Sequence, residues 1–259
     1  MAPTTTNREL WLRTIRTEGD RLAAMPADLL DAPVPSLDGW TVERVVRHVG
    51  KVHRWVSGLL TAPPDADPDV VAAAAPSLPR GPECLAAYGQ ALDAVIGHLG
   101  AADPDRDAAS FVGPTQVRFW LRRQAHEVSV HRSDASDAVH AAGRAEPDPL
   151  DPIASADGVA EWIEVFAATR HAQLGGTVDP ALAGHTFAFV ASDVDGPRPT
   201  LRFGPDSTSW ARDGADADVV VSAPAGPLLL TLWRRRSIET VDIDGNRRLV
   251  AMLLDSMRF

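Results

Sequence analysis

The stretch Arg122-Arg123-Gln124-Ala125-His126-Glu127-Val128-Ser129-Val130-His131-Arg132-Ser133-Asp134 decides how the first half of this chain folds. Around it, Val117, Trp120, Leu121, Gln124, Glu127, Val128, His131 and Ala135 recur at helical spacing and share one side of a helical wheel. Two ionisable groups, Glu127 and His131, therefore interrupt an otherwise apolar stripe. They stand at positions i and i+4, so a helix aims both at one point in space. Charged groups are seldom placed in a core unless they are paired or hold a metal. Three arrangements meet that condition: a buried Glu127–His131 pair, a Glu127–Arg123 pair one turn earlier, or a metal site completed from another helix. His126 falls on the opposite side of the wheel. The pattern is not the His-Glu-x-x-His of zinc proteases, because that motif needs two histidines four residues apart.

Working back from this helix, the first half predicts three more. Trp11, Ile15, Leu22 and Met25 give a first amphipathic helix from about Thr5 to Met25, closed off by Pro26, Pro33 and Pro35. Thr41 is a suitable N-cap for a second helix from about Val42 to Leu60. Its apolar face carries Val42, Val45, Val46, Val49, Val52, Val56, Leu59 and Leu60, with His53 inside the stripe and His48 at its edge. The wheel does not choose between these two histidines. Residues 61–82 are rich in Pro, Ala and Asp and read as a long connection with room for a short helical piece. A third helix, Pro82 to Leu99, is expected to stop at Gly100. The fourth is expected to open near Pro114.

Working forward, residues 141–152 are rich in Gly, Pro and acids, and mark a domain boundary. The division is residues 1–148 as a four-helix bundle and 149–259 as a smaller α+β domain. The second domain begins with a helix from Ser155 to Arg170. The period then drops to two over Thr186–Ala191, Thr200–Phe203, Ser209–Arg212 and Asp218–Ser222, which read as strands, with Asp195-Gly196 as a hairpin turn. A helix from Pro224 to Arg234, a strand near Glu239–Ile243 and a last helix from Asn246 complete it. The acidic stretches Asp193–Gly196 and Asp242–Asn246 lack the ligand spacing of an EF-hand and read as turns. Arg234-Arg235-Arg236 at a helix end suits the helix dipole, or an anion clamp.

Composition narrows the partners. Of 259 residues, 45% are hydrophobic, enough for a core in each domain, and the formal net charge is −10, which disfavours nucleic acid and anionic membranes. No apolar run reaches membrane-spanning length, and the N-terminus lacks the basic start and apolar stretch of a signal peptide. Cys84 is the only cysteine, so no intrachain disulfide forms, in keeping with a cytoplasmic setting. The expected state is a monomer or weak dimer.

Three sets of residues together resemble one known family. Gly39-Trp40-Thr41-Val42 followed by His48-Val49-Gly50 resembles the second-helix signature of the mycothiol-dependent maleylpyruvate isomerases. Phe119-Trp120-Leu121-Arg122-Arg123-Gln124-Ala125-His126-Glu127, then His131-Arg132-Ser133-Asp134, resembles the fourth-helix signature. Leu230-Thr231-Leu232-Trp233-Arg234-Arg235 and Asp244-Gly245-Asn246 are similar to segments of the family's C-terminal domain. The resemblance implies a DinB-like metal-binding bundle followed by a sterol-carrier-like domain. It implies zinc, or another divalent metal, held by His48, Glu127 and His131, and it implies mycothiol, the low-molecular-weight thiol of actinobacteria, as cofactor. The abundance of arginine, alanine and proline, typical of a GC-rich genome, agrees. In the family's isomerase, reversible thiolate addition beside the double bond of maleylpyruvate permits rotation, and elimination gives fumarylpyruvate; relatives transfer the thiol instead. A C-terminal arginine, here Arg235, would hold a carboxylate. The chain departs from the family pattern at Ser133, where tryptophan is common, and at Arg234, where glycine is common.

The expected function is thus a zinc-dependent, mycothiol-using isomerase or thiol S-transferase. Two other classes remain compatible with the residues. One is a small-molecule-binding module without chemistry. The other is a metal-dependent hydrolase or oxygenase on the same bundle, since two histidines and a carboxylate also serve iron.

Overall fold

The computed structural model describes residues 5–170, 173, 179–205, 207–214 and 216–257. The chain divides into two compact units, Met1–Pro149 and Leu150–Phe259.

The first unit is a helical bundle built from α1 (Thr5–Ala23), α2 (Val42–Thr61), the short α3 (Pro68–Ala74), α4 (Glu83–Ala101) and α5 (Val117–Ala141). α2 starts where its cap dictates: the Thr41 hydroxyl accepts from the Arg44 amide at 3.3 Å. α1 packs on α4 and α5, and α2 packs on the same two helices. Ile15, Leu22, Val45, Val49, Val56, Leu92, Val95, Trp120, Leu121 and Val128 fill the space between them. The apolar stripes of α1, α2 and α4 are therefore the bundle core. Gly50 lets the chain approach closely, because a Cβ there would run into the Leu78 side chain.

Two expectations for this unit need correction. Gly100 does not end α4, which continues to Ala101 and closes with the Ala102 amide on the His98 carbonyl. Pro114 does not open α5. It lies in β2 (Gly113–Gln116), which pairs antiparallel with β1 (Asp107–Ser110), and the helix begins at Val117. These strands are built from Ala, Gly, Pro and Thr without β-branched alternation, so no period of two announces them. In addition, α5 has no solvent face over residues 128–135: Ser129, Val130, Arg132, Ser133 and Asp134 are as buried as Val128. Its wheel shows one apolar stripe, yet the polar side chains opposite are buried too, because they are paired. Arg132, for example, pairs with the buried Glu18 of α1 and donates to the Asp148 carbonyl at 2.7 Å.

The second unit begins with α6 (Pro152–Glu161), capped by Asp151, which widens into a π-helical run over Trp162–Arg170. The sequence predicts one continuous α-helix from Ser155 to Arg170; the wider turn is a backbone feature that side-chain periodicity does not report. A five-stranded sheet follows, in the order β5-β4-β3-β6-β7, with β3 Thr186–Ala191, β4 Thr200–Phe203, β5 Thr208–Ala211, β6 Val219–Ala223 and β7 Asp242–Asp244. β3 and β6 are parallel and the other pairings antiparallel. β3 and β4 are not joined by a tight turn at Asp195-Gly196. Their register, with Ala188 opposite Thr200, leaves 192–199 as a longer loop. α7 (Ala225–Leu232) packs on α6, β3 and β6, and α8 (Arg247–Ser256) buries Leu249, Val250, Leu253 and Leu254.

After α7 the chain turns through Arg234, whose φ of 64° is left-handed. The Arg235 amide bonds the Leu230 carbonyl at 2.7 Å and the Arg234 amide bonds that of Thr231 at 2.9 Å, the hydrogen-bond pattern of a Schellman cap. Arg234 thus stands at a left-handed C-cap. Among the described residues no helix is long and apolar enough to cross a membrane.

Candidate metal centre

α2 and α5 face each other across the bundle, and each carries part of the site on the inward edge. α5 supplies Glu127 and His131 one turn apart, and α2 supplies His48. Glu127 Oε1 lies 3.1 Å from His48 Nε2 and 3.4 Å from His131 Nε2. The three ligand atoms all fall within 4.8 Å of one another, which makes them a group able to hold one cation. The separations match the chemistry. Zinc bonds of about 2.0–2.1 Å in a tetrahedron put neighbouring donors about 3.3–3.4 Å apart. Two imidazoles and one carboxylate leave a coordination position open, as catalytic sites require. The donor set therefore fits a divalent metal.

The supporting side chains fix each ligand. Glu127 Oε2 accepts from Arg123 at 3.0 Å, which turns Oε1 toward the imidazoles. The Glu127–Arg123 and Glu127–His131 pairings foreseen as alternatives thus coexist, one on each carboxylate oxygen. His131 Nδ1 lies 2.9 Å from Asp134 Oδ2, and Ser36 Oγ lies 3.3 Å from Asp134 Oδ1. With Nδ1–H donating to the carboxylate, Nε2 keeps its lone pair for a cation, the usual second partner of a metal-binding histidine. Trp40 closes one side: its ring stacks on His131 at 5.9 Å between centroids and meets His48 edge-on at 5.2 Å. Arg44 covers the indole, its guanidinium carbon 4.5 Å from the ring centre. The His48 side chain is 39% exposed against 11% for His131, so the open side lies at His48.

Electrostatics in the metal-free chain follow from this geometry. Burial raises the Glu127 pKa, but His131, His48 and Arg123 outweigh it and hold the carboxyl well below its usual range. Burial lowers the His131 pKa, but Glu127 and Asp134 override it and push the imidazole up to about 9. A cation would have to displace the His131 proton.

The remaining candidates sit elsewhere. His53 is fully buried and bonds Gln124, and it is not one of the three grouped ligands. His126 is also buried, and does not join the group of ligand atoms. Arg235 is in the second unit, directly after the left-handed Arg234, and its Nη1 donates to the Trp233 carbonyl at 2.8 Å. Two supporting residues, Asp134 and Trp40, stand out in the sequence only as members of motifs. Asp134, at i+3 from His131, can be singled out by that spacing alone; the stacking of Trp40 has no local signal.

Comparison with known proteins identifies the family. Residues 12–136 match the sequence family described as the Mycothiol maleylpyruvate isomerase N-terminal domain, and residues 154–252 match the MDMPI C-terminal domain. The chain belongs to the mycothiol maleylpyruvate isomerase family. It is accordingly an isomerase-like enzyme, a helical bundle followed by a sheet-containing domain. Two solved structures share the fold. A crystal structure of the mycothiol-dependent maleylpyruvate isomerase is 14% identical, with a TM-score of 0.56 over 92% of each chain. Its histidine-to-alanine mutant is 13% identical, with a TM-score of 0.57 over 92% of each chain. No curated protein matches this chain in sequence.

Proposed function

We propose that this family member is a zinc-dependent, mycothiol-using isomerase or thiol S-transferase, acting on a small electrophile that carries a carboxylate. His48, Glu127 and His131 hold the metal in this reading. The observation that carries it is the meeting of the three ligand atoms, at 3.1 and 3.4 Å about Glu127 Oε1, in a chain with both family domains. When bound, the cation lowers the pKa of a coordinated thiol, which supplies a thiolate at neutral pH.

The chain's own groups do the rest. Arg123 fixes the carboxylate, Asp134 fixes the His131 tautomer, and Trp40 excludes water from one side of the imidazoles. The partly exposed His48 side admits thiol and electrophile. Arg235 is the proposed clamp for a carboxylate, since arginine binds that group through two parallel hydrogen bonds. A cytoplasmic location belongs to the same reading, because the thiol must stay reduced.

The test joins metal analysis to a thiol-dependence assay on maleylpyruvate, with mycothiol and glutathione compared. The expected result is about one zinc per chain, the stoichiometry of a single three-ligand site, and turnover only with mycothiol. Purified, folded protein that neither contains nor takes up metal would overturn the proposal, as would turnover without any thiol. Thiol-dependent consumption of other electrophiles, but not of maleylpyruvate, assigns the transferase. A folded chain with metal but no thiol dependence favours the hydrolase or oxygenase alternative, for which the same donor set is suitable.

A further inference from the structure

His53 follows His48 by five positions on α2, and Gln124 precedes Glu127 by three on α5. About one turn along the same two helices, these residues make a second bridge. His53 Nδ1 and Gln124 Oε1 are 2.7 Å apart, and both residues are fully buried. The His53 ring also packs against Tyr88 of α4, at 5.6 Å between centroids. Burial pushes the His53 pKa down to about 4, against the Gln124 bond and the Glu127 charge, so the imidazole is neutral and adds no charge beside a cation.

This bridge is a poor way to stabilise a core. Burying an amide and an imidazole costs more than one hydrogen bond between neutral groups returns, and apolar side chains of similar volume would do as well. The pair also leaves atoms over. His53 Nε2 and Gln124 Nε2 are buried with no hydrogen-bond partner. With His53 Nδ1–H donating to the amide oxygen, the amide keeps both N–H donors and Nε2 keeps a lone pair. With the amide turned over, the amide keeps its oxygen and one N–H, and Nε2–H is a second donor. Either way two N–H donors and one acceptor are left over in the buried pair.

What the bond supplies is direction. Apolar contacts between α2 and α5 resist separation but not sliding or rotation, because the hydrophobic effect is non-directional. A short hydrogen bond fixes both. We propose that His53 and Gln124 are the positioning pair of the metal centre. They set the rotation of α2 against α5, and with it the distance of His48 from Glu127 and His131. This rests on the reading of those three residues as metal ligands.

The full-length apo chain is titrated with cobalt(II), and the visible absorption of the bound ion reports ligand geometry without any activity assay. Wild type is measured first; if it binds no cobalt, the metal reading itself fails. The variants are Gln124→Met, which keeps length and loses the hydrogen bond, His53→Leu, and His53→Gln, which can still bond Gln124. Gln124→Met and His53→Leu are expected to keep the helical circular dichroism, weaken cobalt binding about 10–100-fold and shift the absorption bands, as loss of supporting partners around a metal does. His53→Gln is expected to stay within about threefold of wild type, since the bridge survives. Wild-type affinity and spectrum in a folded Gln124→Met chain overturn the proposal. So does loss of fold in both Gln124→Met and His53→Leu, because the pair then serves the core and not the site.

Discussion

His48 and His53 stand on the same helix and face the same partner helix, yet they have opposite chemistry. His48 is 39% exposed on its side chain and meets a carboxylate; His53 has no exposure and meets a neutral amide. The contrast extends to the imidazoles' charge. In the ligand trio, the outer layer, Glu127 and Asp134 raise His131 to about 9 against its burial, whereas at the His53–Gln124 bridge, the inner layer, burial takes His53 down to about 4. Depth alone does not decide whether a buried histidine is charged. The charge of its nearest partner does, because a carboxylate at hydrogen-bond distance can offset desolvation and an amide cannot.

The largest test of this contrast removes the carboxylate. Glu127→Ala should abolish metal uptake and lower turnover by at least about 10³-fold, measured by metal analysis and steady-state kinetics, since the site loses a ligand. It should also destabilise the apo protein by about 3 kcal/mol in denaturant unfolding, because the carboxylate that pairs with both Arg123 and His131 is removed. His48→Ala should abolish metal uptake as well but cost little stability.

Next in size is pH. The unfolded His53 titrates near the ordinary value of 6.5 and the folded one at about 4. Between these values the unfolded chain binds the extra proton, so stability should fall as pH drops from 6.5 to 4, by up to about 3 kcal/mol from this group. His53→Gln should remove that part of the slope in urea midpoints measured across the window. His131 has the opposite sign: its folded pKa is above 6.5, so its contribution to the apo chain is full below pH 6.5 and is lost as pH rises toward 9. Metal affinity should climb over that same window, with about one proton released per metal at pH 7, seen by calorimetry in buffers of different ionisation heat.

Smaller still is the effect of the outer layer's support. Asp134→Asn should weaken metal binding about 10–100-fold by loosening the His131 tautomer, with the Tm nearly unchanged once metal is saturating. An unchanged affinity would make the Asp134–His131 contact a structural one. The smallest effect lies outside both layers. Arg234→Gly should stabilise the second unit by about 1 kcal/mol in thermal unfolding, because the φ of 64° suits glycine. Loss of the exposed Arg234–Asp255 contact at 2.8 Å should offset only a fraction of that. It should leave cobalt binding alone, a control for the changes in both layers.

Much of the molecule is legible in its residue pattern. Valines at helical spacing and Thr41 mark α2, the stripe from Val117 to Ala135 marks the interior of α5, and β3 runs over the span its alternation predicts. What escapes are features without a side-chain period: the β1–β2 hairpin, the π-helical run after Glu161, and the parallel pairing of β3 with β6, which are not neighbours in sequence. At the site, the one-face placement of Glu127 and His131 follows from helical geometry alone. The roles of Arg123 and Asp134 are within reach of the same i, i+3 and i+4 spacing, but spacing does not say which carboxylate oxygen each partner takes.

The sequence by itself determined which residues could share a face, because the 3.6-residue period is local to each helix. It also carried the motifs that resemble the isomerase family. The helical wheel left open which histidine of α2 meets Glu127, with His53 inside the apolar stripe and His48 at its edge; the resemblance named His48, and the tertiary structure brings its Nε2 to 3.1 Å from Glu127 Oε1. That approach depends on how α2 lies against α5 across 79 positions of chain, which packing sets and no local pattern contains.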